Sequence, residues 1–212
     1  MEYIKKIATK KKDAYTGMFM SIVMITTVML FVVFTLKESS MEYTSIYVGD
    51  SLNAAVMAGL EVDLTELAYQ DNLIVTEKEA AGRSVSYDNF LKALKVNLNL
   101  DDAMMSSDYG IIAVDALGNK TEGKGEIVVE EYSIYNVKNG EVYKTSVNPV
   151  TGSMGAARDI GAVGTVTVDD TNHTTINSSA IYAKISFNVD GLFAGHIRVA
   201  KESCMDVSNV SK

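Results

Sequence analysis

The pattern of apolar and polar positions changes character along the chain. Residues 18–36 (MFMSIVMITTVMLFVVFTL) form one apolar run without a charge, a proline or a glycine. As a helix rising about 1.5 Å per residue, the run reaches about 28 Å, close to the roughly 30 Å hydrocarbon thickness of a bilayer. Backbone polar groups in lipid must be satisfied within the segment, which predicts a helix. Beyond it, Met41, Val48, Leu52, Ala55, Gly59 and Val62 recur as a one-sided stripe at helical period. No proline or turn cluster interrupts this pattern before Gln70-Asp71-Asn72. One helix over residues 13–68 is therefore expected. Its weak point is Gly49-Asp50-Ser51, where the glycine costs about 1 kcal/mol.

Two helical signals follow. Thr76-Glu77-Lys78-Glu79 reads as a capping box for a short turn ending at Gly82. From Ser86, the residues Phe90, Leu91, Leu94 and Leu98 share one face, and Asn97-Leu98-Asn99 ends the pattern. The period then falls to two. Residues 126–137 and 141–147 are rich in β-branched and aromatic side chains, and Asn139-Gly140 between them is a strong hairpin signal. Residues 163–168, 180–189 and 196–207 predict further strands, and residues 110–114 a shorter one. Residues 148–164 hold four glycines and the only proline, and read as an irregular contact loop or a plain connection. The expected class is α+β: a long N-terminal transmembrane and amphipathic helix packed on an antiparallel sheet of four to six strands. Four segments result: a basic leader (1–17), a membrane helix (18–36), its amphipathic continuation (37–69) and an exported α+β domain (70–212).

Charge orients this arrangement. Lys5, Lys6, Lys10, Lys11 and Lys12 precede the run and only Lys37 follows closely. The positive-inside bias therefore keeps the N-terminus cytoplasmic and exports the rest, as a single-pass protein of the cell membrane. A cleaved secretory signal has a shorter apolar stretch and a small-x-small exit, which Ser39 and Met41 do not supply; a retained anchor is expected. Residues 38–212 carry twenty-five acidic against thirteen basic side chains. Such a balance argues against nucleic acid as a partner, since that needs a basic footprint. The one cysteine, Cys204, excludes an intrachain disulfide.

Small residues four apart, Ala54 with Ala58 and Ala55 with Gly59, allow close backbone approach. Two readings stay open: this face packs on the chain's own sheet, or it contacts other subunits. The basic leader, Gly17 before the run, the segment DSLNAAVMAGLEVDLTEL (50–67) and the C-terminal IYAKISFNVDGLFAGHIRVAKES resemble type IV pilins and pseudopilins. The nearest resemblance is to the TadE/TadF-like minor pilins of tight-adherence pili in their Gram-positive form. It implies a pilin-like fold and a structural role in a pilus or related secretion system. It also implies cleavage by a prepilin peptidase between Gly17 and Met18, and packing of the N-terminal helix against other pilin-like subunits in a surface filament. The family usually carries a glutamate five residues into the mature helix, where this chain has Ile22. That departure implies a minor, initiating or tip-like role, or plain membrane residence, rather than a major repeating pilin. The alternative is a single-pass anchored extracellular binding module that does not polymerise.

Catalytic chemistry has little to rest on. Gly152-Ser153-Met154-Gly155 is one residue short of a nucleophile elbow, and the chain holds no phosphate-binding loop. His173 and His196 are the only histidines. The pairs Asp101-Asp102 and Asp169-Asp170 lack the spacing of a calcium loop. The expectation is a non-enzyme with no cofactor and no bound metal. Asn172-His173-Thr174 and Asn177-Ser178-Ser179 match glycosylation sequons only weakly.

Overall fold

The computed structural model describes the backbone of residues 2–70, 73–191 and 195–207 and, outside residues 2–14 and 69–70, their side chains. The expected turn cluster at Asp71-Asn72, the centre of the 190–195 connection and the side chains of the five leader lysines lie outside the described part. The chain divides into two compact units, Met1–Ser40 and Met41–Lys212. Its first element is helix α1 (Glu2–Gly59).

Among the described residues, the first unit is helical. Every residue from Tyr15 to Leu36 is exposed, and this helix is long and apolar enough to cross a membrane. The polar side chains of the run bond back to their own helix. Ser21 donates to the Gly17 carbonyl at 2.9 Å, Thr26 to Ile22 at 2.9 Å, Thr27 to Val23 at 2.8 Å and Thr35 to Val32 at 2.9 Å. Each hydroxyl thus has a partner without water.

The second unit is α+β. After α1 come α2 (Leu64–Gln70), the hairpin β1 (Glu79–Ala80) and β2 (Arg83–Ser84), and α3 (Val85–Asn97). Eight strands follow: β3 (Met105–Ser106), β4 (Ile112–Val114), β5 (Lys120–Glu126), β6 (Val128–Lys138), β7 (Glu141–Val147), β8 (Arg158–Ala162), β9 (Ala180–Asp190) and β10 (His196–Asp206). The main sheet is antiparallel in the order β10-β9-β6-β7-β8, and a smaller one runs β3-β5-β4. Asn139 and Gly140 take φ of 53° and 85°, so the β6–β7 turn uses the left-handed conformations that an Asn-Gly pair tolerates best.

Strand alternation separates two cores. On one sheet face, Ile181, Ala183, Ile185 and Phe187 of β9 meet Val48, Leu52, Ala55 and Val56 of α1 and Phe90 and Leu94 of α3. On the other, Tyr135, Val142 and Tyr182 are covered by Val168 and Ile176. The α1 stripe therefore packs on the chain's own domain.

The helix does not reach Ala68: α1 ends at Gly59. Ser86 of α3 donates to the Gly59 carbonyl at 2.8 Å and lies 2.7 Å from the Tyr132 hydroxyl. A Cβ on Gly59 would stand 2.5 Å from that hydroxyl, so the helix end can approach the sheet this closely only as glycine. Val62 then pairs with Val75, and buried Asn136 holds Val75 by accepting from its N–H (2.8 Å) and donating to its carbonyl (2.9 Å). The anticipated weak point at Gly49 stays helical, and α1 starts at Glu2, ahead of the expected residue 13.

Two further expectations are corrected. The Thr76 capping box starts no helix; Thr76 accepts from the Lys78 N–H in a turn leading into the β1–β2 hairpin. Residues 163–168 form no strand. They make one isolated bridge, Thr167 with Thr175, while Val163, Val166 and Val168 cover the second core and β8 lies in the supposed irregular segment. The 86–98 helix begins one residue early, capped by Ser84, which accepts from the Tyr87 N–H at 3.3 Å.

The two α1 glycines in the second unit should respond oppositely to alanine. Gly59→Ala should lower stability by about 1–3 kcal/mol through overpacking. Gly49→Ala, whose Cβ would find only the Lys201 stem at 3.9 Å, should raise it by about 0.5–1 kcal/mol. Denaturant unfolding of the full chain reads both.

Candidate membrane and subunit interface

Gly17 and Met18 lie within α1 and are exposed, with nothing near the Cβ position of Gly17. Ile22, where the resembled family places a glutamate, is exposed too.

The four small residues proposed for helix contact separate onto two faces. Ala55 and Gly59 are buried against the chain's own sheet. Ala54 and Ala58 are exposed. Their face continues through Met57, Ile46 and Tyr43, all exposed, with Asp50 between them. Tyr43, Ile46, Asp50, Ala54 and Met57 are spaced by three or four residues, so a second helical stripe runs beside the buried one. The sequence reading missed it because the stronger stripe of Val48, Leu52 and Ala55 dominates the same window. The signal available was the pair of large side chains at Tyr43 and Ile46, three apart and off that stripe.

The polar constellations are absorbed by local structure. Asp101 accepts from the N–H groups of Ala103 and Met105, both at 3.0 Å, and pairs with Lys124 at 3.0 Å. Asp170 accepts from the Thr174 N–H at 2.7 Å and its hydroxyl at 2.6 Å. His173 sits exposed in that turn with φ of 50°, while His196 opens β10 opposite Asp190. Among the described residues, no three His, Cys, Asp or Glu side chains are grouped to hold a metal ion. A groove of about 340 Å³ beside α3 has Arg83 and Lys95 on its rim, each already paired, with Asp88 at 2.8 Å and Asp102 at 3.3 Å. Ser153 lies 2.7 Å from the Thr151 hydroxyl, which is no general base.

Burial is the largest influence on Cys204 and Tyr182. It pushes the Cys204 thiol up to about 12, helped by the charges of Asp170 and Asp206, so the thiolate needed for disulfide exchange is scarce at neutral pH. Tyr182 is raised by burial and by the Glu202 carboxylate that accepts its hydroxyl at 3.1 Å. Burial also works to raise Asp170, but its bonds from Thr174 prevail and hold it below the usual carboxylate range. Glu202 is lowered by hydrogen bonding from Thr171.

No known family matches this chain, and neither a curated protein nor a solved structure shows significant similarity to it.

The depressed carboxyls set an acid limit. A carboxyl lowered in the fold stabilises it above the unfolded value and loses that contribution as pH falls through the folded one. The Asp170 and Glu202 contributions should be complete near neutrality and vanish on acidification below about pH 4. Thermal unfolding against pH should show this fall, and Asp170→Asn should flatten it.

Proposed function

We propose that this chain is a membrane-held, pilin-like or pseudopilin-like structural subunit of a Tad-type pilus or related secretion system. The observation that carries the reading is the helical run of residues 18–36, apolar and wholly exposed, whose hydroxyls are satisfied within the helix. Water is a poor solvent for such a surface, whereas lipid or the flanks of similar helices suit it. In this reading the span crosses once, with the leader lysines in the cytoplasm and the second unit outside. A prepilin peptidase releases the leader between Gly17 and Met18, and Ala54 and Ala58 meet a neighbouring subunit. Uncharged Ile22 supplies no partner for a neighbour's N-terminal amine, which favours a minor or tip position.

One observation favours the rival reading, an anchored module that never polymerises. Half of the small-residue motif, Ala55 and Gly59, is occupied by the chain's own core.

Two measurements separate these. N-terminal sequencing of protein from its native host should begin at Met18; recovery only of chains that keep Lys5 to Lys12 contradicts processing. In native membranes, Ala54→Cys and Ala58→Cys should cross-link to neighbouring subunits, and Ala55→Cys should not. Absence of cross-links at all three positions supports the anchored module.

A further inference from the structure

We propose that the end of the second unit at which Met41 enters rests on the lipid surface, with Leu117 seated among the headgroups. The inference relies on the reading of residues 18–36 as a span. Four residues separate Leu36 from Met41, and the five Cα–Cα steps, even fully extended, reach at most about 18 Å. Whatever the path of that segment, Met41 stays close to the headgroup layer, itself about 5–7 Å thick on each side.

Contacts within the second unit define what shares this end. Thr44 lies against Gly110, where a Cβ would stand 2.9 Å from its hydroxyl oxygen. Tyr47 stacks on Tyr109 with ring centroids 3.9 Å apart. Ile111 pairs with Val189, near the end of β9. The β4–β5 turn reaches the same place: Lys120 pairs with Asp190 at 3.0 Å, and a Cβ on Gly118 would stand 3.4 Å from the His196 ring. The opposite end of β9 lies with Gly59, whose Cβ position is 3.3 Å from Ile181.

At the tip of that turn Leu117 is 87% exposed. It is held there, because the Asp115 carboxylate accepts from the N–H groups of Leu117 (2.9 Å) and Asn119 (2.7 Å). Tyr43, 62% exposed, and Ile197, 43% exposed, belong to the same end. An aliphatic tip beside an exposed tyrosine suits a membrane interface, where tyrosine is enriched and apolar side chains sit a few ångströms deep. The surrounding unit is acidic and would be repelled by anionic lipid, so the contact is apolar and insensitive to salt.

Single-cysteine variants of the full chain, made with Cys204→Ser, test this. Leu117→Cys, Leu30→Cys and Asn177→Cys are labelled with an environment-sensitive fluorophore and reconstituted in phosphatidylcholine vesicles carrying headgroup or mid-chain nitroxides. The Leu117 label should shift to the blue and lose about half its intensity to the headgroup nitroxide, unchanged by added salt. The Asn177 label, beyond the other end of β9, should do neither. The Leu30 label should be quenched by the mid-chain nitroxide. An aqueous Leu117 label beside a lipid-buried Leu30 label overturns this inference alone; an aqueous Leu30 label overturns the membrane reading with it. Shielding of Leu117 that persists in detergent and grows with protein concentration also overturns it, naming a second copy as the occupant.

Discussion

Water is a poor solvent for the side chains of residues 18–36, and the proposed function rests on that physical constraint. Fifteen large apolar side chains between Met18 and Leu36 are exposed on α1. Removing such a side chain from water contributes about 1.5–3 kcal/mol. Summed over the run, this exceeds the roughly 5–15 kcal/mol that holds an ordinary domain folded. A term of that size makes lipid or the flanks of other helices a better surrounding for the run than water. The intrahelical bonds of Ser21, Thr26, Thr27 and Thr35 remove the polar objection to either.

The outer part of α1 serves two masters. One face, through Val48, Leu52, Ala55 and Gly59, is structural: it closes the core over β6 and β9 and ends where Tyr132 and Ser86 receive Gly59. The adjacent face, through Tyr43, Ile46, Ala54, Met57 and Ala58, is left to the surroundings. Because Ala55 and Gly59 are committed inward, a subunit contact has only the second face to use. In the proposed subunit contact, Asp50 in the middle of that face would disfavour a like-charged neighbour.

Legibility followed the strength of the local signal. The apolar run, the Asn139-Gly140 hairpin, the α3 face and the long strands β6, β7, β9 and β10 were readable, because period and turn chemistry agree there. Strand β5 (KTEGKGE) was not, since it is polar on both faces and pairs with β3 and β4 outside the main core. Strand β8 (RDIGA) is an exposed edge without alternation, whereas the segment carrying Val163, Val166 and Val168 makes one isolated bridge, Thr167 with Thr175, in place of a strand. The end of α1 was misplaced because no breaker stands between Gly59 and Gln70. What stops the helix is tertiary: the Tyr132 hydroxyl against Gly59, and Asn136 holding Val75 for Val62 to pair with. Small-residue spacing alone could not tell the inward face of α1, with Ala55 and Gly59, from its exposed one, with Ala54 and Ala58.

The central claim is that residues 18–36 reside in a bilayer. Alkaline carbonate extraction of native membranes, with a chain beginning at Met41 as the comparison, tests it most directly. The account predicts that the full-length protein stays in the pellet while the shortened chain is released to the supernatant. A full-length protein recovered as a monodisperse soluble species without detergent would contradict it.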